Sequence, residues 1–390
     1  MVKLIKSTFY KEAETKKQLI KFIKSAKQLS FGSECKKFES RFAKYQKRQH
    51  CIFFNSGSSA NLSIVQVLLN LGIIKKGDKA GFSAVTWSTN IMPLTQLGLE
   101  AIPIDVELDT LNVSSKKLLK CLERYPIKMF FLTNLLGLCD DIDEICKICK
   151  KKNIILVEDN CESLGTIYNG KKLGNFGIAS TFSFFVGHHL STIEGGMVCT
   201  DDKELEVMLK IVRAHGWDRN LNLDEQIKIR KEFKIKSAFY DRYIFYDLGY
   251  NLRSTEIQGF LGNIQLKYIE EINRKRNKNF LKLASLIYRR NKYFPIRFSH
   301  IEFLSNFAFP LVCKSREIRE ELIEKCKDRV EIRPIVGGDI TKQPFFKKYT
   351  KISPLPKLKN SSIIHEQGLY FGNNPELTNK EIKELISIFS

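Results

Sequence analysis

The sequence predicts an α/β fold, with a large domain built on a mostly parallel sheet and a smaller α+β domain after it. Between about residues 50 and 200, short apolar runs alternate with amphipathic stretches, the pattern of repeated strand–helix units. The 390 residues exceed what one hydrophobic core usually organises, so a second domain is expected. We therefore assign residues 1–250, with an N-terminal arm, to the large domain and residues 251–390 to a linking helix and the small domain.

Seven short apolar runs are the candidate strands of the large sheet. They are residues 51–54, 79–82, 101–105, 128–132, 154–157, 181–184 and 196–200. Helical stretches at 60–71, 141–151 and 202–214 separate or follow them. The sheet should therefore be mixed but mostly parallel, and should lie between helices.

The remainder of the chain alternates helical and strand patterns. Residues 220–246 are charged and irregular, and we expect them to run over the surface. A long helical pattern then extends to about residue 290. The C-terminal part combines a strand at 307–312 with helices at 315–327 and 379–389, which predicts the α+β domain.

Composition limits the possible functions and location. The net charge of +21 could indicate nucleic-acid binding, but the lysines are spread along the chain without a recognition motif. A negatively charged small substrate explains the charge more simply. No apolar stretch approaches the roughly 18 residues of a membrane span, and the first residues lack the apolar core of a signal peptide. Ten scattered cysteines suit a reducing cytoplasm.

A serine-rich segment, Asn55-Ser56-Gly57-Ser58-Ser59-Ala60-Asn61, follows a candidate strand and opens a helix. Free backbone amides, the helix dipole and the hydroxyls make such a junction an anion site. Serines also occur there simply as helix caps, so the segment alone leaves both interpretations open.

A second segment contains two adjacent histidines, His188 and His189, in a loop that begins at Ser183 and ends in Glu-Gly-Gly. No lysine occurs between Lys172 and Lys203. A lone histidine is usually structural, but its ordinary pKa of about 6.5 suits proton transfer near neutrality. Adjacent histidines rarely ligate one metal ion, so no metal site is predicted.

The apolar run ending in Asp159, followed by this serine-led aromatic loop, resembles the DegT-type sugar aminotransferase family of fold type I. The resemblance covers nearly the whole chain and implies pyridoxal phosphate, with its amine form pyridoxamine phosphate, as cofactor. In that family, the position of His188 is held by the lysine that binds the cofactor covalently. Because an imidazole is not a primary amine, we expect the cofactor to be held non-covalently.

The resemblance also implies which residues bind the cofactor. The expected phosphate ligands are Gly57, Ser58, Ser59 and Ser183. Asp159 is expected to pair with the pyridine nitrogen rather than serve as a strand cap, and Trp87 to stack on the ring rather than pack in the core. Glu162 should lie near the ring hydroxyl or the reacting amine. Asn251 would reach the phosphate of a neighbouring subunit, so a homodimer with shared active sites is expected.

The remaining site residues concern catalysis and substrate. His188 is the expected base, and His189 should point elsewhere. His215 is a candidate second acid or base, although Gly216 beside it is expected only to cap a helix. Arg253 and Arg333 are the expected substrate-binding residues.

The activity implied is dehydration at carbon 3 of a nucleotide-linked 4-keto-6-deoxy sugar, with L-glutamate restoring the amine form of the cofactor. The nucleotide and the sugar epimer stay open. One alternative is an aminotransferase in which histidine carries the proton. Another is a cofactor-binding regulator, although no helix-turn-helix extension is visible at either end. Some relatives carry an iron–sulfur cluster on cysteines downstream of the loop. Residues 200–312 contain no cysteine, so no cluster is expected.

Overall fold

Nine strands lie within the first 200 residues of a computed structural model that describes all 390 residues. They are β1 (His50–Phe54), β2 (Lys79–Ser83), β3 (Glu100–Ile104), β4 (Met129–Thr133), β5 (Ile155–Asp159), β6 (Ile167–Tyr168), β7 (Lys171–Lys172), β8 (Ala179–Ser183) and β9 (Gly196–Thr200). The short strands β6 and β7 pair with each other, and the other seven form one sheet.

The seven-stranded sheet has the order β1-β9-β8-β5-β4-β2-β3. Strand β9 runs antiparallel to both of its neighbours, whereas the pairs from β8 to β3 are all parallel. The mostly parallel, mixed sheet of seven strands is therefore confirmed. Strands β8 and β9 form a hairpin in which Ser183 is opposite Gly196, so the residues between them form a closed loop.

Ten α-helices precede the C-terminal strands. They are α1 (Glu12–Ser25), α2 (Ser33–Gln46), α3 (Gly57–Asn70), α4 (Met92–Gln96), α5 (Ser115–Leu122), α6 (Ile142–Lys151), α7 (Lys203–Arg213), α8 (Leu223–Glu232), α9 (Glu256–Gln265) and α10 (Ile269–Ile287). Side-chain caps define several starts; for example, Asp202 accepts hydrogen bonds from the first turn of α7. No helix combines the length and apolar composition needed to cross a membrane.

The expectation that residues 220–246 are irregular is wrong over α8. Asn222 and Glu225 form a reciprocal capping box that starts this helix, although no residue of α8 is buried. The long helix expected to extend to about residue 290 is also interrupted, because a 3₁₀ turn at Leu266–Tyr268 separates α9 from α10.

The C-terminal part forms a small antiparallel sheet covered by helices, as expected for an α+β unit. Its elements are β10 (Ala308–Val312), α11 (Arg316–Cys326), β11 (Ile332–Arg333), α12 (Pro344–Tyr349), α13 (Lys359–Gln367), β12 (Gly368–Gly372) and α14 (Asn379–Phe389). The central strand is β12, which pairs with both β10 and β11.

The large sheet buries both of its faces. Along β4, Phe130 and Leu132 belong to one core cluster, and Met129 and Phe131 belong to another. This alternation follows from the two-residue period of a strand. The first cluster continues into the C-terminal sheet through residues such as Phe371. The domain boundary at residue 251 stays a prediction.

Candidate active site

A cavity of about 410 Å³ opens at the carboxyl edge of the parallel strands. Ligands of open α/β sheets commonly bind at this edge. Eight of the residues expected to form the site line it: Gly57, Ser58, Trp87, Asp159, Glu162, Ser183, His188 and Arg333. No lysine is among the lining residues.

Four expected residues do not line the cavity. The Ser59 hydroxyl lies within hydrogen-bond distance of Asn55 Oδ1 (2.5 Å) and Ser56 Oγ (2.9 Å), so it contributes to the start of α3. The other three, His215, Asn251 and Arg253, lie together outside the cavity. Arg253 Nε donates to Asn251 Oδ1 at 2.9 Å, and Arg253 Nη2 is 3.4 Å from His215 Nε2. Asn251 is exposed.

The start of α3 lies close to the end of β8. Ser56 caps the helix by accepting a hydrogen bond from the Ser59 N–H at 3.1 Å. The first N–H groups of the helix, including those of Gly57 and Ser58, have no intrahelical acceptor. A Cβ at Gly57 would lie 2.7 Å from the Ser183 Cβ. Glycine therefore brings the helix start against β8, and the two hydroxyls of Ser58 and Ser183 border the same cavity. This arrangement fits a phosphate group.

Asp159 ends β5 and is held by three donors. Its Oδ2 accepts from Asn90 Nδ2 at 2.7 Å and from Asn61 Nδ2 at 3.0 Å, and its Oδ1 accepts from the Cys161 N–H at 2.9 Å. The carboxylate is therefore fixed in orientation while it borders the cavity. Sequence reasoning missed both asparagines. Asn61 lies within the serine-rich segment, where only the serines and the glycine were expected to bind a ligand. Nothing in the sequence around Asn90 indicates that it contacts Asp159.

Trp87 follows β2 and leaves the core. Its side chain is 56% exposed although it borders the cavity. A buried indole would indicate packing, whereas this exposed ring offers a flat apolar surface to a bound aromatic group.

Glu162 lies on the same side of the cavity as Asp159. It is 8% exposed, and its Oε2 accepts a hydrogen bond from the Leu136 N–H at 2.9 Å. Burial raises the pKa of Glu162 to about 8, and the nearby charge of Asp159 acts in the same direction.

His188 reaches the cavity from the β8–β9 loop. Its ring packs beside Phe307, with centroids 5.3 Å apart. Its Nδ1 is buried without a partner, which leaves Nε2 as the nitrogen with access to the cavity. Burial lowers the pKa of His188 to about 4, and Asp159 opposes this shift. The ring is therefore neutral at neutral pH and available as a proton acceptor.

The backbone of this loop is held by a residue that sequence reasoning missed. The buried guanidinium of Arg276, on α10, donates to the His188 carbonyl at 3.1 Å and to the Asn373 carbonyl at 2.6 Å. His189 is not among the residues that line the cavity and is 3% exposed, with its ring nearly perpendicular to that of Phe307. Its location agrees with the expected structural role.

Arg333 approaches the cavity from β11. It also borders a second cavity of about 710 Å³, and Trp87 lines both. The Arg333 guanidinium donates to Glu331 at 2.7 Å. Tyr370, on β12, completes this wall. Tyr370 was not predicted, since a tyrosine in a buried strand is usually a core residue.

Comparisons with known proteins agree with this geometry. The profile of the DegT/DnrJ/EryC1/StrS aminotransferase family matches residues 10–390. The GDP-4-keto-6-deoxy-D-mannose 3-dehydratase of Yersinia pseudotuberculosis is 35% identical over 364 residues, which are 92% of this chain and 91% of that protein. The enzyme of that name from Escherichia coli O55:H7 is 34% identical over 369 residues, 91% of each chain.

The fold is similar over the full length as well. A crystal structure of GDP-4-keto-6-deoxymannose-3-dehydratase with a trapped PLP-glutamate geminal diamine superposes with a TM-score of 0.90 at 32% identity and covers 100% of both chains. With the family profile matched from residue 10 to the last residue, the chain belongs to the DegT/DnrJ/EryC1/StrS aminotransferase family.

Proposed function

We propose that this chain is a pyridoxal phosphate-dependent 3-dehydratase that removes the carbon-3 hydroxyl of a nucleotide-linked 4-keto-6-deoxy sugar. The observation that carries the proposal is the histidine that borders the cavity in a family whose aminotransferases carry a lysine there. Two relatives named GDP-4-keto-6-deoxy-D-mannose 3-dehydratase align with more than nine-tenths of the chain, so GDP-4-keto-6-deoxymannose is the first substrate to test.

The residues of the cavity fit the phosphate, the pyridine nitrogen and the ring face of the cofactor. Ser58 and Ser183, with the free amides at the start of α3, would hold the phosphate. Asp159 would hold the proton of the pyridine nitrogen, and Trp87 would cover one face of the ring. As pyridoxamine phosphate, the cofactor supplies an amine that condenses with a ketone and a ring that withdraws electrons. No lysine is present at the cavity to bind it covalently.

His188 is the proposed proton acceptor. Its neutral ring presents Nε2 to the cavity, and the packing against Phe307 fixes its position. A neutral imidazole can remove a proton but cannot form a Schiff base with an aldehyde. It would therefore permit the carbon–oxygen elimination without binding the cofactor covalently. Glutamate would be the amino donor that restores the amine form.

We also propose a homodimer with shared active sites. His215, Asn251 and Arg253 form a group outside the cavity of their own chain, which suits residues that serve a neighbouring site. Large apolar side chains in the segment that precedes Asn251 in the chain are more than half exposed: Phe239, Tyr240, Tyr243, Phe245 and Leu248. A second copy of the chain would cover them.

The ten cysteines are all free, which supports the proposed cytoplasmic location.

The deciding experiment is product analysis on a panel of GDP- and CDP-linked 4-keto-6-deoxy sugars with glutamate present. A dehydratase should release ammonia and yield a 4-keto-3,6-dideoxy sugar that is lighter than its substrate by one oxygen atom, because the amino donor supplies the two electrons that the loss of the hydroxyl requires. An aminotransferase would instead retain the nitrogen in an amino sugar, and that product would overturn the proposal in favour of the alternative activity. Turnover of none of the panel would favour a binding protein.

A further inference from the structure

Arg276, on α10, is a buried cation whose burial is not explained by an ion pair. Its side chain is 5% exposed, and no carboxylate forms an ion pair with it. Burial lowers the pKa of Arg276 to about 9, so the guanidinium still carries its charge at neutral pH. A buried charge without a counter-ion costs free energy. The two carbonyl groups that accept its hydrogen bonds are therefore the contacts that can account for it.

One of these contacts is the only hydrogen bond that leaves the loop of His188. Between residues 185 and 193, all other hydrogen bonds have both partners within the β8–β9 hairpin. The His188 N–H, for example, donates to the Phe185 carbonyl at 2.9 Å. The exception is the His188 carbonyl, which accepts from Arg276 Nη2 at 3.1 Å.

Packing does not replace this bond. His188, His189 and Arg276 border a small cavity of about 30 Å³ next to the loop. Atoms that face a cavity lack van der Waals contacts on that side. The position of the backbone at His188 therefore depends on the guanidinium more than on packing.

The second contact of Arg276 leads to the residue that packs against the His188 ring. Arg276 Nη1 donates to the Asn373 carbonyl at 2.6 Å, and Asn373 Nδ2 donates to the Arg276 carbonyl at 2.9 Å. The Asn373 N–H in turn donates to the carbonyl of Phe307 at 2.8 Å. Phe307 is the ring neighbour of His188. Arg276 is thus linked to the His188 backbone directly and to the support of its ring through Asn373.

We propose that Arg276 is the positioning residue for proton transfer by His188, an inference that rests on the proposed dehydratase function. It holds the loop backbone and the support of the imidazole in one arrangement, so that Nε2 stays directed at the cavity. Arg276 does not itself line that cavity, so it acts on the reaction through His188. A displacement of about 1 Å in a reacting group can cost about 10²-fold in rate.

A double-mutant cycle tests this role. Arg276→Met removes both donors and keeps the apolar stem of the side chain. We expect kcat for dehydration to fall by about 10²-fold with KM and cofactor binding nearly unchanged, because Arg276 does not line the cavity. In the His188→Asn background, the same change should cost less than about threefold, because the base that Arg276 positions is already missing.

Arg41→Met is the matched control. Arg41, on α2, also donates to a backbone carbonyl, that of Asn263 at 2.7 Å, but makes no hydrogen bond to the His188 loop. This change should leave the rate of dehydration unchanged in both backgrounds.

Hydrogen exchange of the holoenzyme is a measurement that does not depend on turnover. The amides of residues 185–193 should exchange faster in Arg276→Met than in the wild-type protein or in Arg41→Met, because the loop loses its one external hydrogen bond. If Arg276→Met does not fold, Arg276→Lys replaces it in both experiments. Lysine keeps the charge but offers a single ammonium group to two carbonyls, so the same directions are expected.

Equal losses of kcat in the wild-type and His188→Asn backgrounds, or unchanged exchange of the loop, would overturn the positioning role and leave Arg276 as a structural residue. Failure of the wild-type protein to dehydrate any sugar would instead refute the proposed function, and the role of Arg276 in it, whatever the exchange of the loop. The two failures are therefore distinguishable.

Discussion

The residue that we propose as the catalytic base is His188, and two features of its surroundings set its protonation state. Its ring is packed beside Phe307, and one nitrogen is buried without a partner. Both disfavour the imidazolium ion, because a charged ring would need solvent or an acceptor at each N–H. In the proposed reaction the histidine would therefore act as a base from its neutral state.

Replacing His188 with asparagine should remove the proton acceptor and keep the size and polarity of the side chain. The dehydration rate should fall by about 10²–10⁴-fold, the usual contribution of general acid–base catalysis. The measurement is single-turnover release of ammonia with the amine form of the cofactor preloaded. Retention of more than about a tenth of the wild-type rate would assign the base to another residue, with His215 the next candidate.

The matched variant His188→Lys tests how the cofactor is held. Borohydride should fix no pyridoxyl group to the wild-type protein, because no lysine lines the cavity. It should fix one in His188→Lys.

The acid limb of kcat/KM gives a further check. His188 is protonated only as the pH falls toward about 4, so activity should persist below the ordinary histidine value of about 6.5. A limb centred near 6.5 would contradict the neutral, packed ring.

At the scale of single residues, the sequence predicts the site residues that lie at the ends of strands and at the starts of helices. Gly57, Asp159 and His188 are found at the cavity because parallel strands end at one edge of the sheet. Asn90 and the Leu136 N–H could not be predicted in the same way. They arrive from separate loops, and Leu136 offers its N–H from a left-handed backbone conformation (φ 52°) that the sequence does not signal.

Among the elements, the start of α3 and the end of β8 are in close contact at the site. Gly57→Ala would place a methyl group 2.7 Å from the Ser183 Cβ. Overpacking of this kind costs about 1–3 kcal/mol. We expect a lower melting temperature and weaker cofactor binding, measured by calorimetry and by titration of cofactor absorbance.

The companion change Ser183→Gly removes the Cβ that the new methyl group would meet. The double variant Gly57→Ala/Ser183→Gly should therefore recover most of the stability lost by Gly57→Ala. Ser183→Gly alone serves as the control for the lost hydroxyl and the more flexible backbone. If the double variant is no more stable than Gly57→Ala, the close contact does not determine the position of the helix.

Element boundaries show what periodicity detects and what it does not. The apolar run predicts that β5 ends near residue 157, but the strand continues to Asp159 because Thr133 on β4 and Thr181 on β8 still pair with it. Backbone pairing does not depend on the polarity of Glu158 and Asp159. The helix α8 was missed for a related reason: its capping box starts a helix that buries no residue, so no apolar stripe marks it.

For the whole molecule, the main expectation is that the active site is completed by a second chain. Asn251→Ala should weaken cofactor binding by roughly 1.5–3 kcal/mol, the value of a hydrogen bond to a charged group. Chains with His188→Asn and chains with Asn251→Ala should each be inactive as homodimers under limiting cofactor. Mixed after subunit exchange, they should regain activity, because one site of each heterodimer carries both native residues.

Subunit exchange must be verified in the same sample, for example by mass spectrometry of differently tagged chains. Mixing two batches of the same variant is the control. An exchanged mixture that stays inactive would mean that Asn251 serves its own chain, and the proposed shared site would be wrong. A protein that remains monomeric at all concentrations would contradict the dimer itself.

The hairpin of β8 and β9 also has an evolutionary consequence. The loop that carries His188 leaves the sheet at Ser183 and returns at Gly196, directly opposite. Both ends of the loop are thus fixed by backbone pairing, whatever side chains lie between them. A lysine could be replaced by a histidine here during evolution while the strands and the start of α3 were inherited unchanged. Divergence between nitrogen transfer and deoxygenation can therefore proceed through a few substitutions in one short segment, without a new architecture.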